Sequence, residues 1–84
     1  MNKDMEYSEK VKIYQEKGEL CLIGDDYYSR AIRLVRNDKT GMTDAYMKKN
    51  GEKEYKTAYS GSLVQDIEMD KASKVVSREE YDRY

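Results

Sequence analysis

The chain has 84 residues and a formal charge of -1, from 16 Lys plus Arg against 17 Asp plus Glu, with 39% charged and 38% hydrophobic residues. That length suits one domain over residues 1–84. With no His and a single Cys, the composition excludes His-based acid–base or metal chemistry, a disulfide framework and a multi-cysteine zinc site.

In chain order, residues 10–17 fit either the end of a helix starting at Tyr7 or a first strand with Val11 and Ile13 turned inward. Leu20-Cys21-Leu22-Ile23 is an apolar run. Cys21 reads there as a small buried hydrophobe, since no His is present to activate a thiol. Ser29 to Arg36, read as a strand, puts Arg30, Ile32, Leu34 and Arg36 on one face. Tyr27, Tyr28, Ala31, Ile32 and Val35 also fit a helix capped by Asp25 or Asp26. The strand is preferred because a hairpin loop, Asn37 to Gly41, follows directly.

Met42 to Lys48, Glu54 to Tyr59 and Leu63 to Met69 each alternate with period two. Asn50-Gly51 is expected to form a type I′ hairpin turn, which needs positive φ at both residues. Val75 and Val76 can pair or staple. Ser77-Arg78-Glu79-Glu80 matches a capping box and predicts a short helix from Arg78 to Tyr84. These elements predict an α+β fold: a small twisted antiparallel β-sheet, a meander of three to five strands, with a short C-terminal helix.

Charge is uneven along the chain. Residues 1–29 carry -3, residues 30–56 carry +4 and residues 57–84 carry -2. The basic middle holds Arg30, Arg33, Arg36, Lys48, Lys49, Lys53 and Lys56. If these share a sheet face they form a cationic patch with Tyr46 and Tyr55 between them, chemistry that suits phosphates and stacked bases. A solvated strand face with lysines guarding edges is the plainer reading. A sequence pI near 5.5 also departs from the strongly basic footprint of a nucleic-acid binder. Asp25, Asp26, Asp66, Glu68 and Asp70 could bind a divalent cation or do acid–base work, but they lack EF-hand spacing and read as solvated charges.

Thirteen branched aliphatics make a thin core, and nine Tyr accompany no Phe and no Trp. Small domains of this kind commonly gain stability by self-association or partner binding. Nine hydroxyls exceed what so small a core can satisfy, so some rings should reach the surface as contact groups. In size, turn-rich strands and mixed charge the chain resembles small accessory proteins encoded by phages and other mobile elements, some of which block a host defence nuclease by occupying its surface.

The expected function is a non-enzymatic protein-binding module that docks on an acidic protein surface, with another protein or a nucleoprotein complex as partner. The expected partner-binding residues are Arg30, Arg33, Arg36, Tyr46, Lys48, Lys49 and Tyr55. A single-stranded nucleic-acid-binding module is the alternative, and a homodimer is open. No catalytic, metal or cofactor site and no membrane partner is expected. No apolar run approaches the roughly 18 residues of a membrane span, and residues 1–20 lack an apolar signal region, so a cytoplasmic location is expected.

Overall fold

The computed structural model describes residues 6–84. The elements are α1 (Tyr7–Lys17), β1 (Glu19–Ile23), β2 (Arg30–Arg36), β3 (Thr43–Lys49), β4 (Tyr55–Thr57), α2 (Leu63–Met69), β5 (Lys74–Val76) and α3 (Arg78–Arg83). The strands form one antiparallel sheet in the order β4-β3-β2-β1-β5. The expected α+β architecture is therefore present. β1 to β4 make the meander, and Val75–Val76 pair with β1 on its other side.

Residues 10–17 are helical. Glu6 donates its amide to the Glu9 carboxylate at 3.3 Å, and Gly18 ends the helix in the left-handed conformation, φ 73°, with its amide on the Tyr14 carbonyl. Residues 30–36 are a strand, as the preferred reading had it. Gly41 takes the left-handed position of the β2–β3 loop. The capping box at the C-terminus is formed: the Glu80 amide donates to Ser77 Oγ at 3.1 Å.

Three local expectations are corrected. Leu63–Met69 is a helix, not a strand. Ser62 caps it by accepting from the Val64 amide, and Val64, Ile67 and Glu68 are its buried positions, at i, i+3 and i+4. The Asn50-Gly51 turn is not type I′, because Gly51 alone has positive φ. Instead the Glu52 amide closes on the Lys49 carbonyl, and residues 50–54 form a wider loop. The last strand of the meander is Tyr55–Thr57, shorter than residues 54–59.

The sheet separates two clusters. On one face Leu20, Leu34 and Ala45 lie in register beside Leu22, Ile32 and Met47, covered by Val64 and Ile67 of α2 and by Ile13 and Tyr14 of α1. On the other face Cys21 and Ala31 pack with Tyr81 of α3. Among the described residues no helix is long and apolar enough to cross a membrane.

Candidate functional site

The expected partner-binding residues do not share a face. β2 alternates, so Arg30 and Arg36 lie on the side of Ile32 and Leu34, and Arg33 lies on the side of Cys21 and Tyr46. Tyr55 pairs with Met47 and Tyr46 with Lys56, so the two phenols are also on opposite faces. A single cationic patch with Tyr46 and Tyr55 inside it is therefore not formed.

Four of the expected cations hold the fold together. Arg36 donates to the carbonyls of Tyr14 and Gln15 at 3.2 and 2.7 Å, capping α1. Lys48, 6% exposed, donates to the carbonyls of Tyr81 and Asp82 at 3.3 and 3.1 Å, capping α3. Arg30 closes the β1–β2 turn through the carbonyls of Tyr28 and Ser29. Arg33 is the centre of an ionic network. It binds Glu54 through Nε and Nη2 at 3.1 and 2.7 Å, reaches Glu19 at 3.1 Å, and lies 4.4 Å over the Tyr46 ring. Tyr81 adds a hydroxyl bond to Glu54 at 2.8 Å, and Arg78 joins through Glu19. The Arg33 bond holds the Glu54 carboxyl below its ordinary range, against burial. Of the expected set, Arg36, Lys49 and Tyr55 are exposed.

The exposed aromatic surface lies elsewhere, on the β1–β2 turn. Tyr27 is 86% exposed, the most of any large apolar side chain described. Its ring stands edge-on to Tyr28, 5.1 Å between centroids. Asp25 shapes the turn by accepting from the Tyr27 amide at 3.1 Å. Ser29 sits at φ 53°, the one non-glycine residue described with positive φ. That conformation is costly for an L-residue and recurs where a loop is held for use. Tyr28 packs on the core, and the Ile67 side chain lies close to Gly24, which places the turn against the last turn of α2.

Met69, 63% exposed, and Asp70 follow on that helix end. The Tyr28 phenol is pushed up by desolvation and by the charges of Asp70, Asp66 and Asp25. A groove of about 270 Å³ runs between Asp25–Asp26 and Ala72–Lys74. Sequence reasoning treated these acids as solvated charges. The signal it could have used is the doublet Tyr27-Tyr28 directly after Asp25-Asp26 in a turn.

Comparison with known protein families, with curated proteins and with solved structures finds no match to this chain.

Proposed function

We propose that the chain is a non-enzymatic protein-binding module whose contact surface is the β1–β2 turn with the end of α2. The observation that carries this reading is Tyr27: a large ring left 86% exposed on a strained turn, in a chain with few apolar groups to spare. An exposed aromatic on a turn that carries two carboxylates has the composition of a protein contact site, in which the ring supplies area and the acids supply orientation. Its sign selects a basic partner surface, opposite to the acidic one expected from the basic middle of the chain. Basic surfaces are what nucleic-acid-handling proteins present. That chemistry accords with the inhibitor of a host defence nuclease suggested by the resemblance to mobile-element accessory proteins.

The test is site-specific photo-crosslinking in the host cell, with the reactive residue at position 27 or at position 39 on the β2–β3 loop. A defined protein adduct at 27 and none at 39 is expected. Adducts at both positions alike, no adduct at either, or adducts to nucleic acid at 27 would overturn the reading.

A further inference from the structure

A second cleft, sharing no lining residue with the Tyr27 turn, opens between α1 and the segment leading into α2. Its volume is about 210 Å³, and Tyr7, Val11, Tyr14, Leu34, Tyr59 and Glu68 line it. That exceeds the roughly 150 Å³ hole that holds benzene in another protein, so it has room for a small organic group. Three of these residues are phenols and one is a carboxyl. Glu68 is 5% exposed and Tyr7 is 42% exposed, so the acid is at the floor and one ring is at the rim.

The floor is held in place. The Tyr59 hydroxyl donates to Glu68 Oε1 at 2.7 Å, and Tyr14 and Thr43 share a hydroxyl bond at 2.8 Å. Glu68 is anchored through its own helix, since Lys10 donates to the Glu68 and Asp70 carbonyls at 3.0 and 2.8 Å and to Ser73 Oγ at 2.6 Å. Burial pushes the Glu68 carboxyl up, more strongly than Tyr59 and Lys10 pull it down. A positive group arriving in the cleft would favour its ionised form.

Phenol faces carry a negative quadrupole, and rings gathered with an acid attract a cation that has shed its water. The Tyr14 ring already has a cation near it, the Arg36 guanidinium carbon at 5.7 Å from its centroid. A metal ion is the wrong occupant, because Glu68 is the one carboxylate in the lining and no cluster of three or more His, Cys, Asp or Glu side chains gathers among the described residues. A small, weakly hydrated cation with an apolar shell matches both the rings and the acid.

We propose that the Tyr7–Tyr14–Tyr59–Glu68 cleft is a binding site for a small organic cation of the alkylammonium class. The reading is independent of the protein-binding surface at Tyr27.

The probe is choline, compared with its neutral carbon isostere 3,3-dimethylbutan-1-ol, each titrated into the full chain and followed by NMR of the tyrosine rings. Choline should shift the Tyr7, Tyr14 and Tyr59 ring signals and bind at least about tenfold more tightly than the isostere. Tyr7→Leu, at a half-exposed rim position, should weaken choline severalfold while leaving the isostere within twofold. Lys39→Ala should change neither. Glu68→Gln should bring the two probes to similar affinity, provided the variant retains the wild-type amide spectrum, and Tyr7→Leu serves alone if it does not. Equal binding of choline and isostere, an unchanged choline affinity in Tyr7→Leu, or no ring shifts at saturating choline overturns the proposal.

Discussion

Lys48 Nζ, on β3, donates to the carbonyl of Tyr81 at 3.3 Å and lies 5.6 Å from that tyrosine's ring centroid. A cation reaches the C-terminal end of all three described helices from a distant element and adds a donor to its last carbonyls: Arg36 for α1, Lys10 for α2 and Lys48 for α3. A basic group at a helix C-terminus satisfies the orphan acceptors and complements their partial negative charge. Arg30, Arg33, Arg36 and Lys48 of the basic middle thus serve the fold, whereas Lys39, Lys49, Lys53 and Lys56 are exposed, and the two sets do not make one patch.

Lys48→Met tests the device at a buried point. Methionine keeps much of the apolar stem and removes the ammonium, so the Asp82 carbonyl loses its donor and the Tyr81 carbonyl keeps only the Tyr84 amide. A loss of about 1–3 kcal/mol is expected in urea unfolding. Amide exchange should quicken first in α3 and at Gly51, whose amide is bonded to the Tyr84 carbonyl at 2.6 Å. Uniform quickening across the sheet, with α3 no worse than the rest, would show that the cap is unimportant. Arg36→Ala, at an exposed helix end, should cost less than Lys48→Met.

The ionic network on the α3 face makes a sharper prediction. Arg33 has a side-chain exposure of 12% and satisfies Glu54 with two parallel bonds. Removing one partner leaves a charge partly buried without its counterion. Arg33→Met is therefore expected to cost about 3–5 kcal/mol. Arg33→Lys keeps the charge but not the fork, and should recover only part of the loss. In a double-mutant cycle Arg33→Met and Glu54→Gln should be strongly non-additive. Additive losses would mean that the pair has no mutual energy beyond packing.

How much of this was legible in the sequence differs by range. Ser77 and Glu80 lie three residues apart and announced α3, because the capping box is a local device. The alternation of Ile32 and Leu34 announced β2, since one face of that strand is buried. Leu63–Met69 misled, because Leu63, Ile67 and Met69 at alternate positions fit a strand until the Ser62 cap and the buried Val64–Ile67 spacing are weighed. The roles of Arg33, Arg36 and Lys48 were illegible for a different reason. Their partners, Glu54, Gln15 and Asp82, are 21, 21 and 34 residues away, and only the assembled sheet brings them together. The acid and phenols of the α1 cleft were hidden in the same way.

Two carboxyls should pull stability in opposite directions with pH. Glu54 is held below its ordinary value, first by the Arg33 bond. Its contribution is present above the unfolded carboxyl value of about 4.3 and is lost as pH falls through the lower folded value. Glu68 is pushed above its ordinary value by burial. The folded state then holds the proton more tightly than the unfolded state, so its contribution falls as pH rises from about 4.3 through the folded value. Glu68→Gln, which can still accept from Tyr59, should gain stability relative to wild type between about pH 4 and pH 7. Glu54→Gln should lose stability relative to wild type over a lower interval, as pH rises through the folded Glu54 value to about 4.3, and change little above it. Unfolding curves measured across both intervals give the two signs directly, and a parallel response of the two variants would contradict the assignment.

Tyr27 should be dispensable for folding. A side chain 86% exposed has little area to lose, so Tyr27→Ser is expected to change unfolding free energy by less than about 0.5 kcal/mol. The same substitution should abolish the crosslinkable partner contact, whereas Tyr81→Phe should retain the contact and lose stability, because it removes the hydroxyl bond to Glu54. Loss of both fold and contact in Tyr27→Ser would place the ring in the core rather than at an interface.

Cys21 gives a direct probe of the packing between the sheet and α3. It is 4% exposed in the cluster with Ala31 and Tyr81, and its thiol is pushed up to about 11, mainly by burial and secondarily by Glu19. The thiolate is the reactive form, and an ordinary thiol near 8.5 supplies a substantial fraction of it at about pH 8. Folded protein at that pH should react with iodoacetamide far more slowly than protein in strong urea. Lys48→Met, by loosening the end of α3, should accelerate the folded-state reaction. Val64→Ala, on the opposite face of the sheet, should accelerate it only through global unfolding, so its rate should follow the measured stability. Equal labelling of native and unfolded wild type would show that α3 does not close over Cys21.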